Sequence, residues 1–368
     1  MSHAIELRLS RVRRRLLEED LAALVVLGEA DCRYLTGFSG ETASVCLTPD
    51  DVVLFTDPRY EIQAGEQAPL ARLVVFSEGR DDLLPAVMAE ILAGSKHGSH
   101  VLGVDSTWLT VNRWDKLRPK LDEAGVQWRL VSDIVETCRQ VKFPDELAAI
   151  RAAAALATRA FQYLEGRQVV GRAERDVALD IEVFLRENGS EGVAFPFIVA
   201  AGERGAMPHA EASNALIEPG QLVVFDLGTM VDGYASDVTR TYATGPIDDD
   251  LIAAYAMVRE AQASAVAAAK AGVPCKDLDA LARGHLAGGG LAQLFVHSLG
   301  HGVGLEVHEG PNLSQRSESI LESGMVVTIE PGVYFPNRGG IRIEDTIIIH
   351  GGAAEVITDW PRELRFLS

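Results

Sequence analysis

Four acidic residues lie in two strand-like segments of the second half of the chain. Asp226 and Asp237 belong to QLVVFDLGTMVDGYASDVTRTYA, and Glu330 and Glu344 belong to GMVVTIEPGVYFPNRGGIRIEDTIIIH. Both segments have the residue pattern of a β-hairpin. A four-residue loop would make Asp226 and Asp237 cross-strand partners, and a loop centred on Asn337 would do the same for Glu330 and Glu344. Directly opposed like charges destabilise a sheet, so both pairs require a cation or shared protons.

A nitrogen ligand would complete such a metal site. Four carboxylates supply hard oxygen ligands, enough for two divalent ions if some of them bridge. The segment HSLGHGVGLEVHEGP offers His297, His301 and His308 among glycines that let the backbone pass close to a buried site. It is not an HExxH motif, and its glycines argue against a helical zinc site. The residues alone leave the choice among the three histidines open.

The elements that must position these residues form two predicted domains. Residues 1–143 alternate between helix-like and strand-like segments, which is typical of an α/β domain. The predicted elements are a helix at 4–19, strands at 21–27, 43–47 and 52–55, a helix at 82–92, a strand at 101–104 and a helix at 111–124. Pro144 then opens a long Ala-rich helix, with Asp145 and Glu146 near its positive N-terminal end. We therefore predict a boundary between residues 143 and 144.

Residues 144–368 combine helices with the two acidic hairpins. Helices are predicted at 145–164, 174–188, 249–271 and 275–287. Helices beside antiparallel hairpins indicate an α+β domain. The larger domain therefore carries the candidate metal ligands, and the smaller α/β domain precedes it.

Composition excludes several classes of partner. The formal net charge is −19, which would repel phosphate backbones and anionic membranes. Cys32, Cys46, Cys138 and Cys275 are scattered without a CxxC pair, so we expect free thiols. The sequence shows no signal peptide pattern and no run near the roughly 18 apolar residues of a membrane helix. We expect a soluble cytoplasmic protein that binds neither nucleic acid nor membrane.

The motifs resemble a known family. The segments DLGTMVDGYASDVTRTY, HSLGHGVGLEVHE, GMVVTIEPGVY and GIRIEDTIII, in that order, are similar to the pita-bread metallopeptidases, in the branch that holds prolidase and aminopeptidase P. DCRYLTGFSG and VVLFTDPRY resemble the smaller creatinase-type N-terminal domain of that branch. The resemblance implies an α+β pita-bread catalytic domain behind an α/β creatinase-like domain, and a homodimer.

The resemblance also implies roles for individual residues. Two divalent metal ions would be held by Asp226, Asp237, His301, Glu330 and Glu344, with Asp237 and Glu344 as bridges. Further catalytic positions of the family match His209, His297, His308 and Arg342. Glu330 would also move the proton to the leaving nitrogen, and His308 would stabilise the oxyanion. His209 and His297 would contact the substrate, while Arg342 would bind the substrate carboxylate or orient a ligand.

The implied activity is exopeptidase cleavage of the Xaa-Pro bond in short peptides with proline in the second position. One imidazole and four carboxylates favour Mn²⁺, although Co²⁺ or Zn²⁺ could occupy the same site. The compact N-terminal domain favours an Xaa-Pro dipeptidase over an aminopeptidase P that takes longer peptides. A methionine-type aminopeptidase, a metal-free creatinase-like enzyme and a non-catalytic binding protein have similar folds. The complete ligand set and the extra domain weigh against these three classes of protein.

Overall fold

The chain divides into two compact units. The computed structural model describes residues 2–76 and 100–368, and its units are Met1–Arg139 and Gln140–Ser368. The predicted domain boundary between residues 143 and 144 stays a prediction. Within the described ranges, none of the helices is long and apolar enough to cross a membrane.

The first unit is an α/β layer built on a six-stranded mixed sheet. Its helices are α1 (Ser2–Glu18), α2 (Glu29–Thr36), α3 (Glu61–Gln67), α4 (Val111–Glu123) and α5 (Ile134–Gln140). Its strands are β1 (Ala23–Val26), β2 (Ser44–Leu47), β3 (Val52–Thr56), β4 (Arg72–Val75), β5 (Val101–Asp105) and β6 (Gln127–Val131). The strand order is β4-β3-β2-β1-β5-β6. The predicted helix at 82–92 lies outside the described residues.

The central strands of this sheet are apolar along most of their length. Every residue of β1, β2 and β3 is buried, so both faces of these strands are covered. Continuous Val- and Leu-rich runs are typical of such strands. β1 pairs in parallel with β5, and β5 pairs in parallel with β6. The predicted elements of the first third that lie in the described residues are all present, with ends shifted by one or two residues.

The second unit combines four long helices with several small antiparallel sheets. The helices are α6 (Pro144–Glu165), α7 (Glu174–Glu187), α8 (Asp249–Ala268) and α9 (Cys275–Gly288). The strands of its first half are β7 (Gly192–Val193), β8 (Ile198–Ala201), β9 (Leu222–Leu227), β10 (Thr229–Val231), β11 (Tyr234–Ala235) and β12 (Val238–Ala243). Those of its second half are β13 (Gly300–Gly302), β14 (Glu309–Leu313), β15 (Val326–Ile329), β16 (Gly332–Phe335), β17 (Gly339–Arg342), β18 (Asp345–Ile348) and β19 (Glu355–Val356).

The predicted start of the long helix α6 is confirmed. Pro144 occupies the first turn, where its missing N–H costs no hydrogen bond. The Glu146 carboxylate accepts a hydrogen bond of 2.8 Å from the backbone N–H of Phe143 and so caps the helix. α8 ends at Ala268, three residues before the predicted end.

Two apolar layers hold the hairpins in place. The inner faces of α6 and α7 pack against β9 and β12, and those of α8 and α9 pack against β15 and β18. Both hairpins therefore have one face in a core, which leaves their other face available for polar side chains.

Candidate metal centre

Asp226 and Asp237 come from the two sides of the first predicted hairpin but are not cross-strand partners. The ladder pairs Asp226 with Thr239. The turn contains two residues, Asp232 and Gly233, with φ values of 50° and 74°, instead of four. An Asp-Gly pair with both φ values positive is the favoured two-residue hairpin turn. The predicted pairing of Asp226 with Asp237 is therefore wrong, and the register differs by two positions.

A register difference of two residues keeps every side chain on its predicted face. Side chains alternate between the faces of a strand with a period of two. Val223 and Phe225 face the apolar core, and Asp226 points to the opposite side of β9. One carboxylate oxygen from each of Asp226, Asp237 and Glu344 lies within 4.8 Å of the others. The two aspartates therefore still meet, although they are not directly opposed.

Glu330 and Glu344 lie in the second hairpin in the predicted register. β15 pairs with β18 and β16 pairs with β17, and the two ladders continue one register across the break between them. Glu330 and Glu344 occupy that break, opposite each other. Ile341 and Ile343 pack into the core, so Arg342 and Glu344 face the other side with the rest of the acidic cluster.

His301 lies on β13 between two glycines that a larger residue could not replace. A Cβ added to Gly300 would lie 2.0 Å from a carbonyl oxygen of β15, and one added to Gly302 would lie 2.1 Å from a carbonyl oxygen of β14. His301 Nδ1 donates to the Gly302 carbonyl oxygen at 3.0 Å. This fixes the tautomer with the lone pair on Nε2. That atom is 3.3 Å from Glu330 Oε1 and 3.5 Å from Asp237 Oδ2, as a metal ligand would be.

Three buried carboxylate oxygens of the cluster lack a hydrogen-bond partner among the described residues. They are Asp226 Oδ1, Asp237 Oδ1 and Glu344 Oε1. Burial, followed by repulsion from neighbouring carboxylates, raises the pKa of Asp237 and of Glu344 well above the usual range. Burial also raises the pKa of Glu330 to about 8. A buried group of acceptors with so few donors is stable only with protons or cations, so the donor set fits divalent metal ions.

Arg342 is committed to neighbouring protein groups. Its Nη2 donates to Asp226 Oδ2 at 2.6 Å, and its Nε donates to Thr239 Oγ1 at 3.1 Å. Its Nη1 donates to the Tyr334 hydroxyl at 2.8 Å and to the Pro208 carbonyl at 3.2 Å. The residue is only 3% exposed. Four of its five N–H groups are thus engaged by protein groups, which favours the role of orienting a ligand over that of binding a substrate carboxylate.

His297 is a neutral imidazole in a hydrogen-bonded chain with Arg342. Its Nδ1 donates to the Ser298 carbonyl at 2.8 Å, and its Nε2 accepts from the Tyr334 hydroxyl at 2.8 Å. Burial, and then the charge of Arg342, lowers the pKa of His297 to about 3. Burial raises the pKa of Tyr334 to about 12, so this hydroxyl keeps its proton.

One cavity collects every site residue predicted from the sequence. It has a volume of about 390 Å³ and is open to solvent. The predicted residues that line it are His209, Asp226, Asp237, His297, His301, His308, Glu330, Arg342 and Glu344. Their roles as ligands or catalytic groups stay predictions, but their proximity to one another is a feature of the fold.

His308 and His209 lie on the exposed side of this cavity. The His308 ring packs edge-on against the His301 ring, with 4.4 Å between ring centroids. Partial burial lowers the pKa of His308, so its imidazole is neutral near pH 7 and offers one N–H donor. These two histidines can therefore reach a bound ligand without being buried with the acidic cluster.

An apolar wall and two polar supports of the cavity were not predicted from the sequence. Phe195, Pro196 and Ile198 form the apolar wall of the cavity. The hydroxyl groups of Tyr334 and Thr239 accept hydrogen bonds from Arg342. A signal for the wall exists in the segment FPFI, an aromatic run at the start of β8. A signal for Tyr334 also exists, because it follows Glu330 by four residues and a strand period of two would place both on one face.

Comparisons with known proteins agree with this architecture. Residues 148–351 match the model of metallopeptidase family M24, and residues 8–141 match the Creatinase/Prolidase N-terminal domain. The chain belongs to metallopeptidase family M24. The fold class expected from the sequence, an α+β pita-bread catalytic domain behind a creatinase-type α/β domain, is therefore confirmed.

Similar proteins match this chain over almost their whole length. An Xaa-Pro dipeptidase of Pyrococcus horikoshii is 42% identical, and the match covers 94% of this chain and 95% of that protein. The structure of an Xaa-Pro dipeptidase from Bacillus anthracis is 35% identical with a TM-score of 0.92, and covers 99% of this chain and 100% of that one. An X-Pro aminopeptidase from Thermotoga maritima is 31% identical with a TM-score of 0.84, over 94% and 97% of the two chains.

Proposed function

We propose that this protein is a two-metal exopeptidase that hydrolyses the Xaa-Pro bond of short peptides, with Xaa-Pro dipeptides as its main substrates. The observation that carries the proposal is a set of buried carboxylate oxygens beside His301 in one cavity of a family M24 chain. Among the described residues, these oxygens have no hydrogen-bond partner. The Xaa-Pro substrate class rests on the names of the similar dipeptidases.

In this proposal five residues hold the two cations. They are Asp226, Asp237, His301, Glu330 and Glu344. When bound, the cations lower the pKa of a water molecule and polarise the scissile carbonyl group. Four carboxylates and one imidazole form an oxygen-rich donor set, so we propose Mn²⁺ as the metal, with Co²⁺ and Zn²⁺ as substitutes that the same donors could bind.

The remaining polar groups of the cavity would handle the proton and the developing charge. Glu330 would carry the proton to the leaving nitrogen, since its carboxylate lies at the cavity wall. His308 would donate its single N–H to the oxyanion. His209 and His297 would contact the substrate on either side of the scissile bond. Arg342 would fix the orientation of Asp226 through their hydrogen bond of 2.6 Å.

The shape of the cavity favours a small substrate with a proline ring. Its volume of about 390 Å³ lies at the small end of the roughly 300–1,000 Å³ of ligand pockets. Phe195, Pro196 and Ile198 offer an apolar wall for the ring. The bond before proline is a tertiary amide without an N–H, so its recognition depends on shape more than on hydrogen bonds.

A comparison of three peptides tests the proposal. We expect Mn²⁺-loaded protein to hydrolyse Ala-Pro fastest, Ala-Pro-Ala more slowly and Ala-Ala hardly at all. Glu344→Ala is the inactive control, because it removes a predicted ligand. Equal rates on Ala-Pro and Ala-Ala would overturn the proline assignment and leave a broader two-metal aminopeptidase.

Aminopeptidase P activity is the second candidate. The observation in its favour is the similar X-Pro aminopeptidase structure from Thermotoga maritima. Faster cleavage of Ala-Pro-Ala than of Ala-Pro would select it. A homodimer, a cytoplasmic location and the domain division 1–143 and 144–368 are further proposals, which sedimentation, fractionation of the source cells and limited proteolysis respectively would test.

A further inference from the structure

A second acidic cluster lies within the N-terminal unit. Asp31 belongs to α2, Asp105 ends β5, and Glu136 belongs to α5. One carboxylate oxygen of each lies within 4.8 Å of the others. Asp31 is 1% exposed, Asp105 is 6% exposed, and Glu136 is half-buried. We call these three residues the N-terminal acidic cluster.

Each carboxylate of the cluster keeps one oxygen without a partner. Asp31 Oδ2, Asp105 Oδ2 and Glu136 Oε1 are buried and have no hydrogen-bond partner in the part of the chain that the structure describes. The second oxygen of Asp31 accepts from Arg139 Nη1 at 2.7 Å, and that of Asp105 accepts from the Thr107 backbone N–H at 2.9 Å. These bonds orient the two aspartates and leave one lone-pair-bearing oxygen of each unsatisfied.

The same arrangement occurs in the metal centre of the catalytic unit. There Asp226 Oδ2 is held by the buried Arg342, and Asp226 Oδ1 has no partner among the described residues. Asp31 repeats this pattern with Arg139, which is 2% exposed. An arginine that fixes one carboxylate oxygen and leaves the other for a cation supports a metal ligand in the way that hydrogen bonds to ligating carboxylates generally do.

The cluster has an excess of acidic groups. Within residues 2–76 and 100–368, its three carboxyl groups meet the guanidinium of Arg139, and the neighbouring Asp133 adds a further acidic group at the exposed edge. Burial raises the pKa of Asp31 to about 7, and it also raises the pKa of Asp105 and of Glu136. Protons on these carboxyl groups or one bound cation would each remove the excess negative charge, but only a cation would also bind all three oxygens at one centre.

We propose that the N-terminal acidic cluster binds one hard divalent cation, Ca²⁺, Mg²⁺ or Mn²⁺, through Asp31, Asp105 and Glu136. A cavity of about 10 Å³ adjoins the cluster on the side away from Asp31. It is lined by Asp105, Asp133 and Glu136 together with apolar residues, and has room for one water-sized particle. Carboxylate oxygens alone are the ligands that these cations prefer. The ion joins α2, β5 and α5 and so stabilises the N-terminal unit.

Terbium luminescence provides a direct probe, because Tb³⁺ replaces such cations and is excited through a nearby tryptophan. Trp108 is suitably close: a Cβ added to Gly28 would lie 2.5 Å from Trp108 Nε1 and 2.9 Å from Asp31 Oδ2. Among the described residues, no tryptophan lines the catalytic cavity. Excitation at the red edge selects tryptophan, and the part of the emission that is lost in Trp108→Phe reports on the N-terminal acidic cluster in the full-length protein.

Three variants and three competing ions make the test decisive. We expect Asp105→Asn to weaken Tb³⁺ binding by more than the roughly 10–100-fold that is typical for loss of a supporting residue. Asp115→Asn, which alters an exposed carboxylate on α4, should bind like the wild type. Competition by Ca²⁺, Mg²⁺ and Mn²⁺ would rank the natural ions. Glu344→Ala should keep the signal, since it alters only the catalytic centre.

Two results would overturn the proposal. One is equal tryptophan-sensitised emission from Asp105→Asn and wild type. The other is wild-type emission that none of the three divalent ions reduces. If Asp105→Asn does not fold, Glu136→Gln takes its place: it must weaken Tb³⁺ binding, and tryptophan-sensitised emission equal to that of the wild type contradicts a cation site at the N-terminal acidic cluster.

Discussion

Replacing Arg342 separates two roles that the sequence left open. Its side chain donates to Asp226, Thr239, Tyr334 and the Pro208 carbonyl, and it is 3% exposed. If these contacts are its function, Arg342→Ala disturbs the orientation of a predicted metal ligand. If instead Arg342 bound the carboxylate of a dipeptide, the variant would lose substrate affinity.

The expected magnitudes follow from the contacts. Loss of one partner of a buried ion pair costs about 3–5 kcal/mol of stability, because the other charge stays buried. Loss of a residue that supports a ligand lowers metal affinity or activity by roughly 10–100-fold. We therefore expect Arg342→Ala to lower kcat by that factor on both Xaa-Pro and Xaa-Pro-Yaa, with little change in KM. Arg342→Lys should recover only part of the lost kcat, since an ammonium group cannot reproduce the guanidinium fork.

The assay combines steady-state kinetics on both peptides, metal content and urea unfolding. Arg338→Ala is the matched control, because this arginine lies in the turn of the same hairpin and pairs with Asp248 and Asp250 at the surface. This pair is exposed to solvent and far from the acidic residues of the cavity, so its loss should leave kcat unchanged. The supporting role of Arg342 is refuted if Arg342→Ala raises KM for Xaa-Pro alone and leaves kcat intact.

Four further outcomes are expected. A chelator should abolish peptidase activity and Mn²⁺ should restore it, and full activity of metal-free protein would contradict the two-metal centre. Glu344→Ala should lose both activity and bound metal in elemental analysis, since two close cations then lack a bridging charge; two ions still bound per chain would rule out its bridging role. His308→Ala should keep its metal while kcat falls by roughly 10²–10³, whereas loss of metal would make His308 a ligand. Finally, the folded-state pKa of His297 is lowered from 6.5 to about 3, so the unfolded chain takes up its proton first and stability falls as the pH decreases through that range. Urea unfolding should show that the stability of His297→Asn decreases less steeply with decreasing pH than that of the wild type. An unchanged pH dependence would count against a buried neutral imidazole.

The two hairpins show how much of the strand register can be predicted from local sequence pattern. The turn of the second hairpin predicts its register, and the β15–β18 and β16–β17 ladders have the predicted register. The predicted register of the first hairpin was wrong by two positions, because a two-residue turn at Asp232 and Gly233 replaces the expected loop. An even shift leaves each side chain on its face, which is why Asp226 and Asp237 still meet. The error in register therefore did not affect the prediction that these two aspartates lie close together.

The sequence by itself determined the positions and faces of the acidic residues, the glycines around His301 and the order of the two domains. These properties depend on periodicity and turn chemistry over a few residues. The tertiary structure alone decided which distant groups meet. Arg342 and Asp226 are 116 residues apart in the chain, and Arg139 and Asp31 are 108 apart. Such contacts arise from the packing of whole elements against one another, and no local pattern in the sequence encodes them.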